Sequence, residues 1–116
     1  MKQIFRIATL FLAVLPLSAG AHAHLVQATP ANGAVLTQPP SEFRLQLNEP
    51  ARLTALSLQK DNEAPRKLGG LSSAPSAQWV IAAPKLAPGS YTLSYRLLSD
   101  DSHIMSGSIK FRIREP

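Results

Sequence analysis

A chain of 116 residues with no cysteine has room for one small domain, held together without disulfides and without thiolate metal sites. The formal net charge is +5, yet only 6% of residues are aromatic, and the lysines and arginines are spread along the chain with few rings between them. That pattern argues against a nucleic-acid face, which needs clustered cations interleaved with stacking rings.

The chain opens on the three parts of a secretory signal. Lys2 and Arg6 make a basic start, Ile7 to Leu17 form an apolar run, and Ala21-His22-Ala23 is a small-x-small cleavage site. The run is too short to cross a bilayer, and no later stretch approaches the ~20 apolar residues needed, so the processed chain is not expected to be membrane-embedded. Removing residues 1–23 leaves one domain, 24–116, of 93 residues with ten cations against seven acids. A second cut, after Ala21, fits the same rule and would leave His22-Ala23-His24 at the terminus.

Beyond the signal, period-two alternation is the recurrent pattern. Residues 42–48 put Phe43, Leu45 and Leu47 on one face. A second run, 53–58, turns Leu56 and Leu58 inward. A third, 78–82, carries Trp79, expected in the core. Residues 91–97 set Tyr91, Leu93, Tyr95 and Leu97 against Thr92, Ser94 and Arg96, and 108–113 place Ile109, Phe111 and Ile113 inward. Arg112 and Arg114 fall on the wet face of that last strand. Turn signals at Pro30-Ala-Asn-Gly33, Pro39-Pro40, Gly69-Gly70 and Pro88-Gly89 separate the runs, and residues 61–76 read as a long polar loop. Strands at this spacing, each with one apolar face, predict an all-β antiparallel sandwich.

Histidine occurs in the processed chain only at 24 and 103. A cut after Ala23 makes His24 the first residue, and its α-amine and ring Nδ1 can then chelate one metal. Such an amine has an ordinary pKa of about 7.7–8.0, so it yields its proton to a metal far more readily than lysine does. The alternative terminus, with histidine third, is itself a square-planar copper or nickel chelate. In the connection between the last two strands, Asp101 and His103 are separated by one residue. An extended backbone would turn both side chains to one side. Together with His24 they make a set of three nitrogens and one oxygen that suits tetragonal Cu(II), while zinc could use the same groups in a tetrahedral arrangement. A solvated hairpin loop would contain the same two residues with no metal. Met105 has the parity of His103 and could offer a thioether to reduced copper, or simply pack. Glu49 could accept a hydrogen bond from a ligating imidazole, or be an ordinary surface charge.

Several motifs resemble, in order, the CopC/PcoC family of periplasmic copper-binding proteins: His24-Leu-Val, Thr29-Pro-Ala-Asn-Gly33, Leu45-Gln-Leu-Asn-Glu49, Leu86-Ala-Pro-Gly-Ser-Tyr91, and Asp101-Ser-His103 followed by Ser106-Gly-Ser108. The resemblance implies a single immunoglobulin-like Greek-key β-sandwich or barrel of about seven strands. It further implies one Cu(II) per chain, held by His24, Asp101 and His103, with Glu49 beside the site. A periplasmic copper carrier or buffer in homeostasis or resistance follows from it. The partners are copper itself and, for some members, an inner-membrane CopD-type transporter; a monomer is expected. Founding members carry a methionine-rich loop that binds Cu(I). Here residues 61–78 contain no methionine, so that second site is expected to be absent. Two other classes use the same residues differently: a copper-dependent oxidative enzyme of the histidine-brace type, and a metal-free immunoglobulin-like interaction module.

Overall fold

The computed structural model describes residues 23–116, so nearly all of the proposed signal segment lies outside the described residues. No helix occurs among them. The strands are β1 (Leu25–Thr29), β2 (Ala34–Leu36), β3 (Glu42–Lys60), β4 (Arg66–Lys67), β5 (Ser76–Ala82), β6 (Gly89–Leu98) and β7 (Ile104–Ile113). They form an all-β fold of two packed layers. One layer is β1 and β5 on either side of the first half of β3. The other runs β2-β7-β6-β3-β4, using the second half of β3.

The two runs expected at 42–48 and 53–58 are thus one strand. Asn48-Glu49-Pro50 looks like a break in sequence, but Pro50 interrupts no pairing with β6, which begins at Arg52, and the chain continues from one layer into the other. Register shifts between Gln46 and Ala51 and between Leu53 and Ala55 absorb the bend. They also move the buried set from odd positions (Phe43, Leu45, Leu47, Leu53) to even ones (Leu56, Leu58). Two further expectations are corrected. β2 pairs with β7 in parallel, so the sheet is mixed. The loop expected over 61–76 contains β4, whose two residues close the edge of β3 at Ser57 and Leu58.

The core joins the layers through a chain of rings. Phe43 of the first layer lies 5.9 Å from Phe111 of the second, which stacks on Tyr91 at 5.3 Å and 11°. The Tyr91 hydroxyl donates to the Ala87 carbonyl, 2.5 Å away, the corner contact that ties a Greek-key strand to the turn before it. Burial, reinforced by Asp61 and Glu63, pushes that hydroxyl above its ordinary value. Trp79 is buried as expected, and its indole N–H donates to the carbonyls of Ala51 and Ser76.

Candidate metal centre

β7 begins at Ile104, four residues earlier than the alternation suggested, so the connection to β6 is the five residues 99–103. Ser99 is the buried polar residue of the described chain, 4% exposed. Its Oγ lies 2.5 Å from Asp101 Oδ1 and 3.2 Å from the His103 carbonyl. Its backbone N–H also donates to that carbonyl, and its own carbonyl accepts from Ser102 N–H, both at 3.0 Å. Ser102 sits in the left-handed region, φ +69°, which folds the connection back on itself.

This turn brings Asp101 and His103 together. His103 Nδ1 lies 2.8 Å from Asp101 Oδ2, and its backbone N–H reaches Oδ1 at 3.4 Å. The expected convergence is therefore real, but its cause differs: a tight turn, not an extended backbone, aims both side chains at one place. The Ser99 hydroxyl and the His103 ring hold the Asp101 carboxyl well below the usual carboxylate range. Because the folded value is depressed, whatever this contact contributes is present above the ordinary carboxylate pKa of about 3.9 and is lost as pH falls through the lower, folded one. The carboxylate thus fixes the orientation of the His103 ring through Nδ1.

His24 is exposed and lies immediately before β1. In this unprocessed chain its nitrogen is a peptide N–H, which donates to Asn48 Oδ1 at 2.6 Å, while its carbonyl accepts from Asn48 N–H at 3.1 Å. Asn48 therefore grips both sides of the residue. Four positions further along β3, Arg52 pairs with Leu98, the residue next to the 99–103 connection. At about 3.3 Å per residue the two anchorages lie within roughly 13 Å along one strand. His24 and the Asp101–His103 pair thus share one end of the sandwich. Among the described residues, however, no three of His, Asp and Glu are drawn into a single metal-sized group. Glu49 is half-buried on β3 next to Asn48. Met105 pairs with Leu97 and packs against the core, which accounts for it without a metal.

Ser99 and Asn48 were not visible as site residues in the sequence. Ser99 looks like loop polarity until its burial is known, and Asn48 looks like one more outward strand residue until β1 is registered against β3.

A model of the CopC domain matches residues 25–114. The chain belongs to the CopC family. The copper resistance protein C of Pseudomonas syringae pv. tomato is 29% identical over 118 residues, covering 91% of this chain and 93% of that protein. Among solved structures, CopC from Methylosinus trichosporium OB3b is 25% identical, superposes with a TM-score of 0.68, and covers 81% of this chain and 95% of its own. PcoC from Escherichia coli, described as a methionine-rich copper resistance protein, shares the fold at 24% identity and a TM-score of 0.57, over 81% of this chain and all of that one. The Pseudomonas and Escherichia relatives are named as copper resistance proteins. This CopC chain contrasts with the methionine-rich PcoC in carrying two methionines, Met1 and Met105.

Proposed function

We propose that the processed chain binds one Cu(II) ion in the periplasm and carries or buffers it, as a monomer and without catalysis, in copper resistance or homeostasis. Signal cleavage after Ala23 turns the nitrogen gripped by Asn48 into an α-amine. The amine and ring of His24, an imidazole nitrogen of His103 and a carboxylate oxygen of Asp101 then supply a donor set suited to oxidised copper. The observation that carries this reading is that Ser99 holds Asp101 and His103 in contact at the end of the sandwich where Asn48 fixes His24, in a member of the CopC family. Copper would draw these groups into one site, the metal supplying what the fold leaves open. Glu49 is assigned to the surroundings of the site, and a CopD-type membrane protein is the natural recipient or donor. No Cu(I) site is assigned to residues 61–78.

The test uses protein purified from periplasm without an N-terminal tag. Its intact mass should begin at His24 and gain one copper, and His103→Ala should lose it. A start at His22, with copper retained in His103→Ala, would move the site to the terminal tripeptide.

Two further results are expected. Because Asp101 stays ionised to low pH, acid competes with copper only at nitrogen, so up to three protons should replace each metal. A competition titration should show affinity falling steadily from neutral pH to about pH 5, at a slope no steeper than three; constant affinity down to pH 4 would rule these ligands out. Ser99→Ala should weaken Cu(II) binding by about 10–100-fold, the usual effect of losing a group that orients a ligand. NMR titration of the Asp101 carboxyl carbon should show its pKa rising toward the ordinary range in the same variant.

A further inference from the structure

The cations that look scattered in the sequence are collected by the fold. The strands of the β2-β7-β6-β3-β4 layer contain no Asp or Glu from Arg52 onward, in any of their five segments. Alternation fixes which way their side chains point. Leu53, Leu97, Ile109 and Phe111 are buried, so Arg52, Arg96, Lys110 and Arg112 stand on the opposite, solvent face, joined by exposed Lys67. None of these five is in an ion pair among the described residues; those present are Arg44–Glu42 and His103–Asp101. The acids lie on the other layer, in loops or at the end of the chain.

Register gives this face a plan. Lys67, Ser57, Ser94 and Ser108 form one row across four adjacent strands. Arg96 and Ser106 make the next row on one side, Thr92 and Lys110 the next on the other, with Ser90 and Arg112 beyond. Short side chains along the middle leave a trough of about 730 Å³, lined by serine hydroxyls and by the apolar Leu68, Leu71 and Tyr95, with Lys67 and Arg96 the cations at its sides. The trough thus combines hydroxyl donors, an apolar stretch and two cations, and Lys110 and Arg112 continue the positive face beside it.

We propose that this trough is a docking surface for an extended acidic segment of a partner protein. Beyond the trough, on the same solvent face, Lys110 and Arg112 lie two residues apart on β7, roughly 6.8 Å, which is the spacing of alternate carboxylates on an extended chain that continues out of the trough along that strand. Serine hydroxyls can donate to the same carboxylates, and charge of one sign around the groove speeds and orients the encounter. A second copy of this face is excluded as occupant, because like charges would meet. An anionic bilayer would touch the rim and leave the recessed hydroxyls unpaired. Nucleic acid would find a single half-buried ring, Tyr95, and no series of rings to stack on, since Tyr91 and Phe111 are buried. This inference stands whether or not the copper reading holds.

The test is an isotope-labelled processed protein titrated with a peptide of alternating glutamate and serine. Amide shifts should concentrate on β6, β7 and residues 52–60, and affinity should fall as salt rises. Lys67→Glu/Arg96→Glu should weaken binding by about tenfold or more, whereas Arg44→Glu/Lys85→Glu, with the same change in net charge away from the trough, should change it less than about twofold. Equal weakening by both pairs, shifts spread over β1 and β5, or no binding would overturn the proposal. So would retention on phosphatidylglycerol vesicles without binding of the peptide, which would make the face a lipid surface.

Discussion

Adding a single residue before His24 is expected to abolish high-affinity Cu(II) binding while leaving the fold untouched. The extension keeps every side chain of the site but converts the α-amine into a peptide N–H, which is not a ligand near neutral pH without losing its proton. It breaks the six-membered chelate that the amine and ring Nδ1 of His24 close on the metal. Orienting residues typically account for about 10–100-fold in metal affinity, and loss of a ligand that also closes a chelate should exceed that, so a fall of more than about a hundredfold is expected. Residue 24 is exposed and precedes β1, so an extra residue displaces nothing in the core. The measurement is a competition titration of two proteins, one beginning at His24 and one at an added glycine. Paramagnetic resonance of the copper forms would report the change of nitrogen donors directly. Equal affinities would show that the amine is not a ligand and return the copper site to the imidazoles and carboxylate alone.

This result depends on Asn48 as well as on processing. The side chain that accepts from His24 N–H in the unprocessed chain can accept from the amine after cleavage, which holds the nitrogen at one place on β3. None of that was legible from the residue itself. Alternation placed Asn48 correctly on an outward face, and the structure agrees, but the contact exists only because β1 pairs with β3 one residue away, at Leu25 and Leu47. Pairing between distant segments leaves no trace in local pattern. Ser99 illustrates a different kind of opacity. Serine is small and neutral, and nothing in Ser99-Asp-Asp-Ser-His103 marks the first serine as buried and the second as exposed. By contrast, the inward rows of β6 and of residues 108–113 of β7 were legible position by position, because a sheet packed on one side enforces period two. Tyr95 departs from that row in degree: it is half-buried, its ring over Gly107. The continuity of β3 was hidden for a physical reason as well. Proline and polar residues in the middle of a strand normally end it, and here they mark the point where the strand passes from one layer to the other.

The largest loss of stability is expected from Phe43→Ala. Phe43 is fully buried at the point where the first half of β3 meets the second layer, and its ring is the first of three that run through Phe111 to Tyr91. Truncating a buried phenylalanine costs about 3–5 kcal/mol, because the transfer energy of the ring is lost and the surrounding β-strands cannot collapse into the space. A domain of this size has only about 5–15 kcal/mol in total, and this one has no disulfide to limit its unfolded state. Urea unfolding of the processed protein should therefore show a midpoint near or below half that of the parent. Copper provides the internal check. If the ion bridges the start of β1 and the connection between β6 and β7, it binds the folded chain and not the unfolded one, so an excess of a hundred times the dissociation constant should return about 2.7 kcal/mol to both proteins. Phe43→Ala should then recover much of its lost midpoint with copper present, and Phe43→Ala/His103→Ala should recover none. Recovery in the double variant would mean that copper stabilises the protein through groups other than the loop histidine.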